Sequence, residues 1–342
     1  MFQNSRNPAL KRIVDNLNKK IIKLNEKIEN ESLNNKLVNI NIYDGKLWKF
    51  VKPFKSKKQN ISTLTGTANI ALTDTEKANC LANSLETQFT LNNISDKNTE
   101  NTVKRSVEYF GTLNVKCTDS DRPSPSEVLG CIKKLKNNKA PGTDGISNMM
   151  IRKLPNNVIF YLTFLLQKVL ILGHFPQRWK TATVVPIFKP GKDPTQPSSY
   201  RPISFLSSIS KIAENLILTR FNKHLIDNNI LCNEQFGFRP NLSTSHQLLR
   251  VAEYVYEGFI NKQKTGAVFL DIQKAFDRVW QDALIHKIIS YNTPTYITKI
   301  IDSYLHNRNF CVKANNELSD IKNVTEVLPK DLNSDQFCSV AS

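Results

Sequence analysis

Residues 268–277 read Val268-Phe269-Leu270-Asp271-Ile272-Gln273-Lys274-Ala275-Phe276-Asp277. A short apolar run bounded by Gly266 and a carboxylate is the pattern of a strand buried on both faces, so a buried strand is predicted over Ala267–Ile272. A carboxylate at a strand's end can hold a hard cation such as Mg²⁺, because the sheet fixes where its oxygens sit. Taken alone, such an aspartate is more often a hydrogen-bonded structural acid than a metal ligand. Asp277 falls near the start of the next predicted helix, Phe276–Ser290, where the helix dipole favours an acid.

Outward from this stretch, helical and strand patterns alternate. Helices are predicted over 155–172, Ile209–Asn228, Thr244–Phe259 and Tyr296–Leu305. Thr181–Phe188 (TATVVPIF) reads as a strand, and Phe310–Lys313 with the Asn315-Asn316 turn reads as half a hairpin. The order implies a mixed α/β (α+β) body rather than a helix bundle. Phe188-Lys189-Pro190-Gly191-Lys192 followed by Ser198-Ser199-Tyr200-Arg201 places two lysines and an arginine on one hairpin. Arg forks and Lys point charges can grip a triphosphate, and a plain basic surface hairpin has the same look. Ser124-Pro125-Ser126-Glu127 is a capping box opening a helix whose end and exit carry Lys133, Lys134, Lys136 and Lys139. Lys139-Ala140-Pro141-Gly142-Thr143-Asp144-Gly145 then makes a sharp connector, with Asp144 expected to cap the following helix. Thr73 and Glu76 form another capping box, with a helix to about Phe89, and 91–122 reads as a polar, Asn-rich loop.

The chain has 342 residues, 40% hydrophobic and 23% charged, which is a folding composition. Lys plus Arg (47) exceeds Asp plus Glu (30), giving +17 at neutral pH. That balance favours a polyanionic partner, nucleic acid first and an acidic membrane surface second. The first 60 residues hold 14 Lys/Arg against 5 Asp/Glu. Within them Leu10, Ile13, Leu17, Ile21, Leu24 and Ile28 mark an amphipathic helix, with Lys11, Arg12, Lys19, Lys20, Lys23 and Lys27 on the other face. That face is either solvated or phosphate-contacting, and the seam also fits a short coiled coil. Trp48, Phe50 and Phe54 among lysines suit single-stranded nucleic acid or docking of the arm. The N-terminus has no apolar secretory core, and the apolar run 158–172 contains Gln167 and Lys168, so neither secretion nor a membrane span is expected. The six cysteines form no C-x-x-C pair, which argues for reduced thiols and a cytoplasmic or nuclear chain without secreted partners.

The ordered series KAPGTDGI, VVPIFKPGK…SSYRPISFLSSISKIAE, NEQFGFRPNLST and FLDIQKAFDRVW resembles the reverse transcriptases of non-LTR retrotransposons, in particular the jockey-like group. The resemblance is continuous over about 124–314 and looser over 1–92. It implies right-hand polymerase fingers plus a partial palm over 123–324. A basic helical arm (1–60) and a helix plus polar loop (61–122) precede them, and a divergent tail (325–342) follows. It further implies that Asp271 and the Ile272 carbonyl bind Mg²⁺, two ions in the complete enzyme. Phe276 matches the gate against a ribose 2′-hydroxyl. Lys189 and Arg201 match residues that neutralise the incoming deoxynucleoside triphosphate. Gly237, Phe238 and Arg239 match a segment lining the nucleotide pocket. Lys133, Lys134, Lys136 and Lys139 match contacts to the RNA template of an RNA template–DNA primer pair.

The family pattern continues into a Gly-x-Pro-Gln-Gly-Ser segment and a Tyr/Phe-x-Asp-Asp turn. After Val324 neither is present, and Asp331 and Asp335 are not an adjacent pair. The expectation is a polymerase truncated within the palm, without a thumb or upstream endonuclease, and inactive or nearly so alone, because a two-metal site needs carboxylates from two strands. The other readings are a non-catalytic nucleic-acid-binding remnant and a relic of a mobile element with no protein function.

Overall fold

The computed structural model describes residues 8–38, 61–66, 70–89, 94, 96–237, 239, 241–270 and 279–324. The chain divides into two compact units, 1–60 and 61–342. In the first, α1 (Pro8–Val38) is one 31-residue helix.

The second unit mixes helices with a small sheet. Its first elements are β1 (Leu64–Thr65) and β2 (Ile70–Ala71), an antiparallel pair, then α2 (Asp74–Gln88) and α3 (Lys97–Thr112). Then come α4 (Pro125–Lys134), α5 (Asn148–Arg152), α6 (Asn156–Leu172), β3 (Thr181–Phe188), β4 (Tyr200–Phe205) and α7 (Ser208–Asp227). The remainder is α8 (Thr244–Ile260), α9 (Gln281–Ser290), α10 (Thr295–Leu305), β5 (Arg308–Ala314), β6 (Glu317–Leu318) and β7 (Lys322–Val324). β3 pairs antiparallel with β4 and parallel with β5, so it lies between them. β5 in turn pairs with β6 and β7.

Two cores hold this unit together. The larger packs α4, α6, α7, α9 and α10 through residues such as Val128, Leu166, Leu216, Ile285 and Ile300. The smaller lays Leu81 and Leu85 of α2, with Phe89 just past its end, on Val184, Tyr200, Phe310 and Val312 of the sheet. Phe89 meets Phe310 edge-on at 5.6 Å between centroids, a favoured aromatic geometry. α2 begins as its sequence dictates. The Thr73 hydroxyl accepts from Glu76 N–H (3.2 Å), and the Glu76 carboxylate accepts from the Thr73 (3.0 Å) and Leu72 (2.8 Å) amides. Asn315 Nδ2 donates to Asp74 Oδ1 (2.8 Å) and Lys322 to Glu86 (2.9 Å), tying α2 to the β5–β7 end.

The C-terminal end of α10 is a cationic junction. Lys180, buried, donates to the carbonyls of Ser303 (2.9 Å) and His306 (3.0 Å). Buried Arg308 donates to Tyr304 O (2.9 Å) and stacks over the Tyr304 ring. Orphan carbonyls at a helix's negative end account for cations gathering there. Burial, then the charge of Arg308, holds the Lys180 ammonium below its ordinary range. His306 lies between Asp302 (2.9 Å) and Asp282 (3.3 Å), and its hydrogen bonds to those carboxylates, Asp282 first, push its pKa up to about 10. The second link between elements is Arg220 of α7. It makes a two-pronged pair with Glu127 of α4 (2.9 and 3.1 Å) and donates to Asp121 O (2.6 Å). Tyr296 donates to the Asp121 carboxylate at 3.0 Å.

Four expectations are corrected. The 91–122 segment is not a loop throughout, because 97–112 forms α3. Asp96 caps it, accepting from Asn98 N–H (2.9 Å) and Thr99 Oγ1 (2.6 Å), and burial of Val103 and Phe110 outweighs the low helix propensity of its asparagines and threonines. The strand predicted over Ala267–Ile272 is absent in 267–270, which is irregular. Val268, Phe269 and Leu270 are 86–91% exposed. A strand persists only when paired, and no described residue offers these backbones a ladder. Ser124 accepts from Glu127 N–H, but the Glu127 side chain turns to Arg220, so only half of that box forms. Finally, Ser147, not Asp144, caps α5 through Met150 N–H (3.3 Å). The helix expected over Phe276–Ser290 is described from Gln281.

Candidate nucleic-acid and nucleotide interface

The β3–β4 hairpin presents the predicted triphosphate residues. Ile187 pairs with Arg201 and Phe188 with Tyr200, and Lys189 N–H continues the ladder to Ser199 O at 2.8 Å. Side chains two apart share a face of a strand, so Lys189 and Arg201 lie diagonally on one side of the hairpin. Val184 and Tyr200 lie on the opposite face, packed into the α2 core. The Lys189–Arg201 face is therefore the outer one, with Ile187 (46%) and Ile203 (45%) also open to solvent. The Lys189 ammonium donates to Ser198 O at 2.7 Å, while Arg201 is exposed. At the tip, Asp193 accepts from Thr195 N–H (2.9 Å) and Oγ1 (2.8 Å), bonds that hold its carboxyl below the usual range.

The connector 139–146 is fastened to the far end of this hairpin. Asp144 accepts from Ile146 N–H (3.1 Å) and from Ser207 Oγ (2.6 Å), just past β4. Gly142 lies so close that an added Cβ would sit 2.6 Å from Ser207 N and 2.7 Å from Leu206 C. This joint was missed at the level of sequence. Its signal is two glycines and a proline around an Asp, more turn chemistry than one connector needs. Lys133, Lys134, Lys136 and Lys139 are all exposed beside it, and none has an ion pair among the described residues.

Arg239 belongs to the loop that follows α7. It donates to Cys232 O (3.0 Å) and Gln235 O (3.4 Å), closing its own loop, and Gly237 beside it is exposed. Phe238, Asp271, Ile272 and Phe276 lie outside the described residues. Among the described residues no three His, Cys, Asp or Glu side chains cluster to hold a metal ion, and no helix is long and apolar enough to cross a membrane.

The end of β3, the turn and β4 of this hairpin lie within a stretch of sequence kinship. Residues 187–330 match the family described as "Reverse transcriptase (RNA-dependent DNA polymerase)". The chain carries a reverse transcriptase domain, homologous to the RNA-directed DNA polymerases of jockey-like non-LTR retrotransposons. It is 35% identical over 285 residues, 83% of its length, to the "RNA-directed DNA polymerase from mobile element jockey" of Drosophila melanogaster. It is 37% identical over 278 residues, 80% of its length, to the "Probable RNA-directed DNA polymerase from transposon BS" of the same fly. It is 39% identical over 206 residues, 60% of its length, to the corresponding protein of transposon X-element. The chain spans 31%, 30% and 23% of those three relatives.

Proposed function

We propose that this chain forms the template- and nucleotide-gripping part of an RNA-directed DNA polymerase, with fingers and part of a palm over 123–324. The observation that carries the reading is the outward face of the β3–β4 hairpin, where Lys189 and Arg201 stand together. Two cations on a rigid sheet face suit the phosphates of a deoxynucleoside triphosphate, Arg by its fork and Lys as a point charge. On binding, Lys189 exchanges the Ser198 carbonyl for a phosphate oxygen. Lys133, Lys134, Lys136 and Lys139 neutralise phosphates of the RNA template, whose register the 139–146 connector fixes relative to the hairpin. Gly237, Phe238 and Arg239 border the nucleotide pocket. Arg239 also shapes the loop, since its Nη1 donates to the Cys232 and Gln235 carbonyls. The arm 1–60 adds non-specific affinity for the nucleic acid. Residues 325–342 lie outside the described part.

Asp271 and the Ile272 carbonyl are the metal ligands of this proposal, and Phe276 the sugar gate. Bound Mg²⁺ supplies activation of the primer hydroxyl and neutralisation of the leaving pyrophosphate. The 342 residues contain no adjacent Asp-Asp pair. Binding of RNA–DNA template–primer is therefore expected from this chain, with little or no extension. Primer extension on poly(rA)/oligo(dT) with Mg²⁺, beside filter binding of the same duplex, tests both halves. Robust incorporation abolished by Asp271→Ala would overturn the second half. Binding indifferent to Lys189→Ala and to salt would overturn the first.

A further inference from the structure

Helix α1 carries an apolar stripe that faces solvent. Val14, Leu17, Ile21, Leu24 and Ile28 are 42%, 53%, 57%, 63% and 56% exposed. Their spacing is three, four, three, four, the 3.5-residue repeat of a two-helix seam rather than the wider stripe of a helix docking on a globular core. Ile22, 57% exposed, lies just off this seam. Such a stripe on a mostly polar helix needs a partner surface, because a single helix in water is marginal.

We propose that α1 pairs with α1 of a second copy of this chain, as a parallel, in-register two-stranded coiled coil. Residue types at the seam support the stoichiometry. With Val14, Ile21 and Ile28 at the first heptad position and Leu17 and Leu24 at the fourth, every first position is β-branched and every fourth is leucine. That combination favours two strands in parallel. The flanking charges support the direction. Lys20 and Lys27 fall on one flank of the seam, and Asn18 and Asn25 on the other. In a parallel pair Lys20 faces Asn25 of the second copy, with no like-charge contact. An antiparallel pair would set the Lys20 and Lys27 flank against itself. The seam ends where Glu31 takes a fourth position, ion-paired to Lys27 of its own helix at 4.0 Å. Lys19 and Lys23 point away from the seam and stay free for phosphate. Residues 14–28 span about 21 Å at 1.5 Å per residue, so the association is reversible rather than obligate. A lipid surface is the other chemistry an amphipathic basic helix can meet, but the stripe is narrow and the described part of the helix has no aromatic side chain to lie at an interface.

Sedimentation equilibrium of the full 342-residue chain over a concentration series tests this. A monomer–dimer equilibrium is expected, lost in Leu17→Asp/Leu24→Asp, whose thermal transition for the remaining body stays where it was. Leu17→Cys sets two thiols opposite each other only in the parallel register. Mild oxidation should give a cross-linked dimer beyond that of the unsubstituted chain with its native cysteines. A monomer at every concentration, a dimer surviving the double substitution, or no extra cross-link at position 17 overturns the proposal. So does a stripe protected only by anionic vesicles.

Discussion

Replacing Gly142 by alanine tests the joint between the 139–146 connector and the end of β4. The new Cβ would stand 2.6, 2.7 and 2.9 Å from Ser207 N, Leu206 C and Leu206 O. All three are backbone atoms at the start of α7, so neither side can move aside by changing a rotamer. Overpacking of this kind costs about 1–3 kcal/mol. The shift also pulls Asp144 from Ser207, a 2.6 Å bond to a carboxylate worth about 1.5–3 kcal/mol. The two effects share one displacement and do not add fully, which leaves about 3–4 kcal/mol. Gly145→Ala is the control for conformation alone. Its φ of +68° penalises alanine by about 1–2 kcal/mol, yet nothing lies within 4 Å of the new methyl. Gly130, inside α4 with open space around it, is the control of opposite sign, and alanine there should stabilise by about 0.5–1 kcal/mol. Urea unfolding of the full chain, followed by far-UV circular dichroism, gives the three values. If Gly142→Ala costs no more than Gly145→Ala, the close approach does not govern the joint and the reasoning fails.

Arg220→Met removes the forked pair to Glu127 and the bond to Asp121 O, at a cost of about 2–4 kcal/mol in the same urea experiment; a loss under about 0.5 kcal/mol would show the link to be ornamental. His306 has its pKa raised to about 10 by Asp282 and Asp302, so its protonated form stabilises the folded state. That contribution is complete below the ordinary histidine pKa of about 6.5 and fades as pH rises through 10; His306→Gln should flatten the stability profile over that window, and an unchanged profile refutes the pairing. Asp282, held below its ordinary range chiefly by His306, adds the other limb, losing its contribution as pH falls below about 4. Changing Lys133, Lys134, Lys136 and Lys139 together to Gln should shallow the salt dependence of single-stranded RNA binding by up to about 0.7 per lysine that touches phosphate, measured by fluorescence anisotropy from 50 to 200 mM salt; an unaltered slope places the RNA elsewhere.

Local patterning made much of the fold legible. TATVVPIF is a strand over 181–188 as its β-branched run requires, and the box at Thr73 starts α2 through both of its reciprocal bonds. α3 was hidden by composition, since asparagines and threonines advertise a loop. Its signal was present in Val103, Val107 and Phe110, spaced four and three apart behind Asp96. The exposed run 267–270 fails for a different reason. Apolar β-formers specify a strand only if some other segment offers backbone partners, and that is a property of neighbours, not of the run itself.

The same distinction separates what was readable in the candidate site. That Lys189 and Arg201 share a face follows from the pairing of a short hairpin, because side-chain parity is fixed once the register is. That the lysine-bearing connector is held at the hairpin's other end depends on Asp144 meeting Ser207 across 63 positions of sequence, and on a glycine whose missing methyl admits a backbone. Gly142, read as a turn residue, and Asp144, read as a cap for the next helix, turn out to be one half of a contact whose other half is Ser207. The contact gives the connector a reason to be stiff. A turn that merely joined α4 to α5 could wander, and Lys139 with it. Pinned to Ser207 just past β4, it holds its cation in constant relation to the strand that carries Arg201, which is what the proposed grip on a template phosphate and an incoming triphosphate requires.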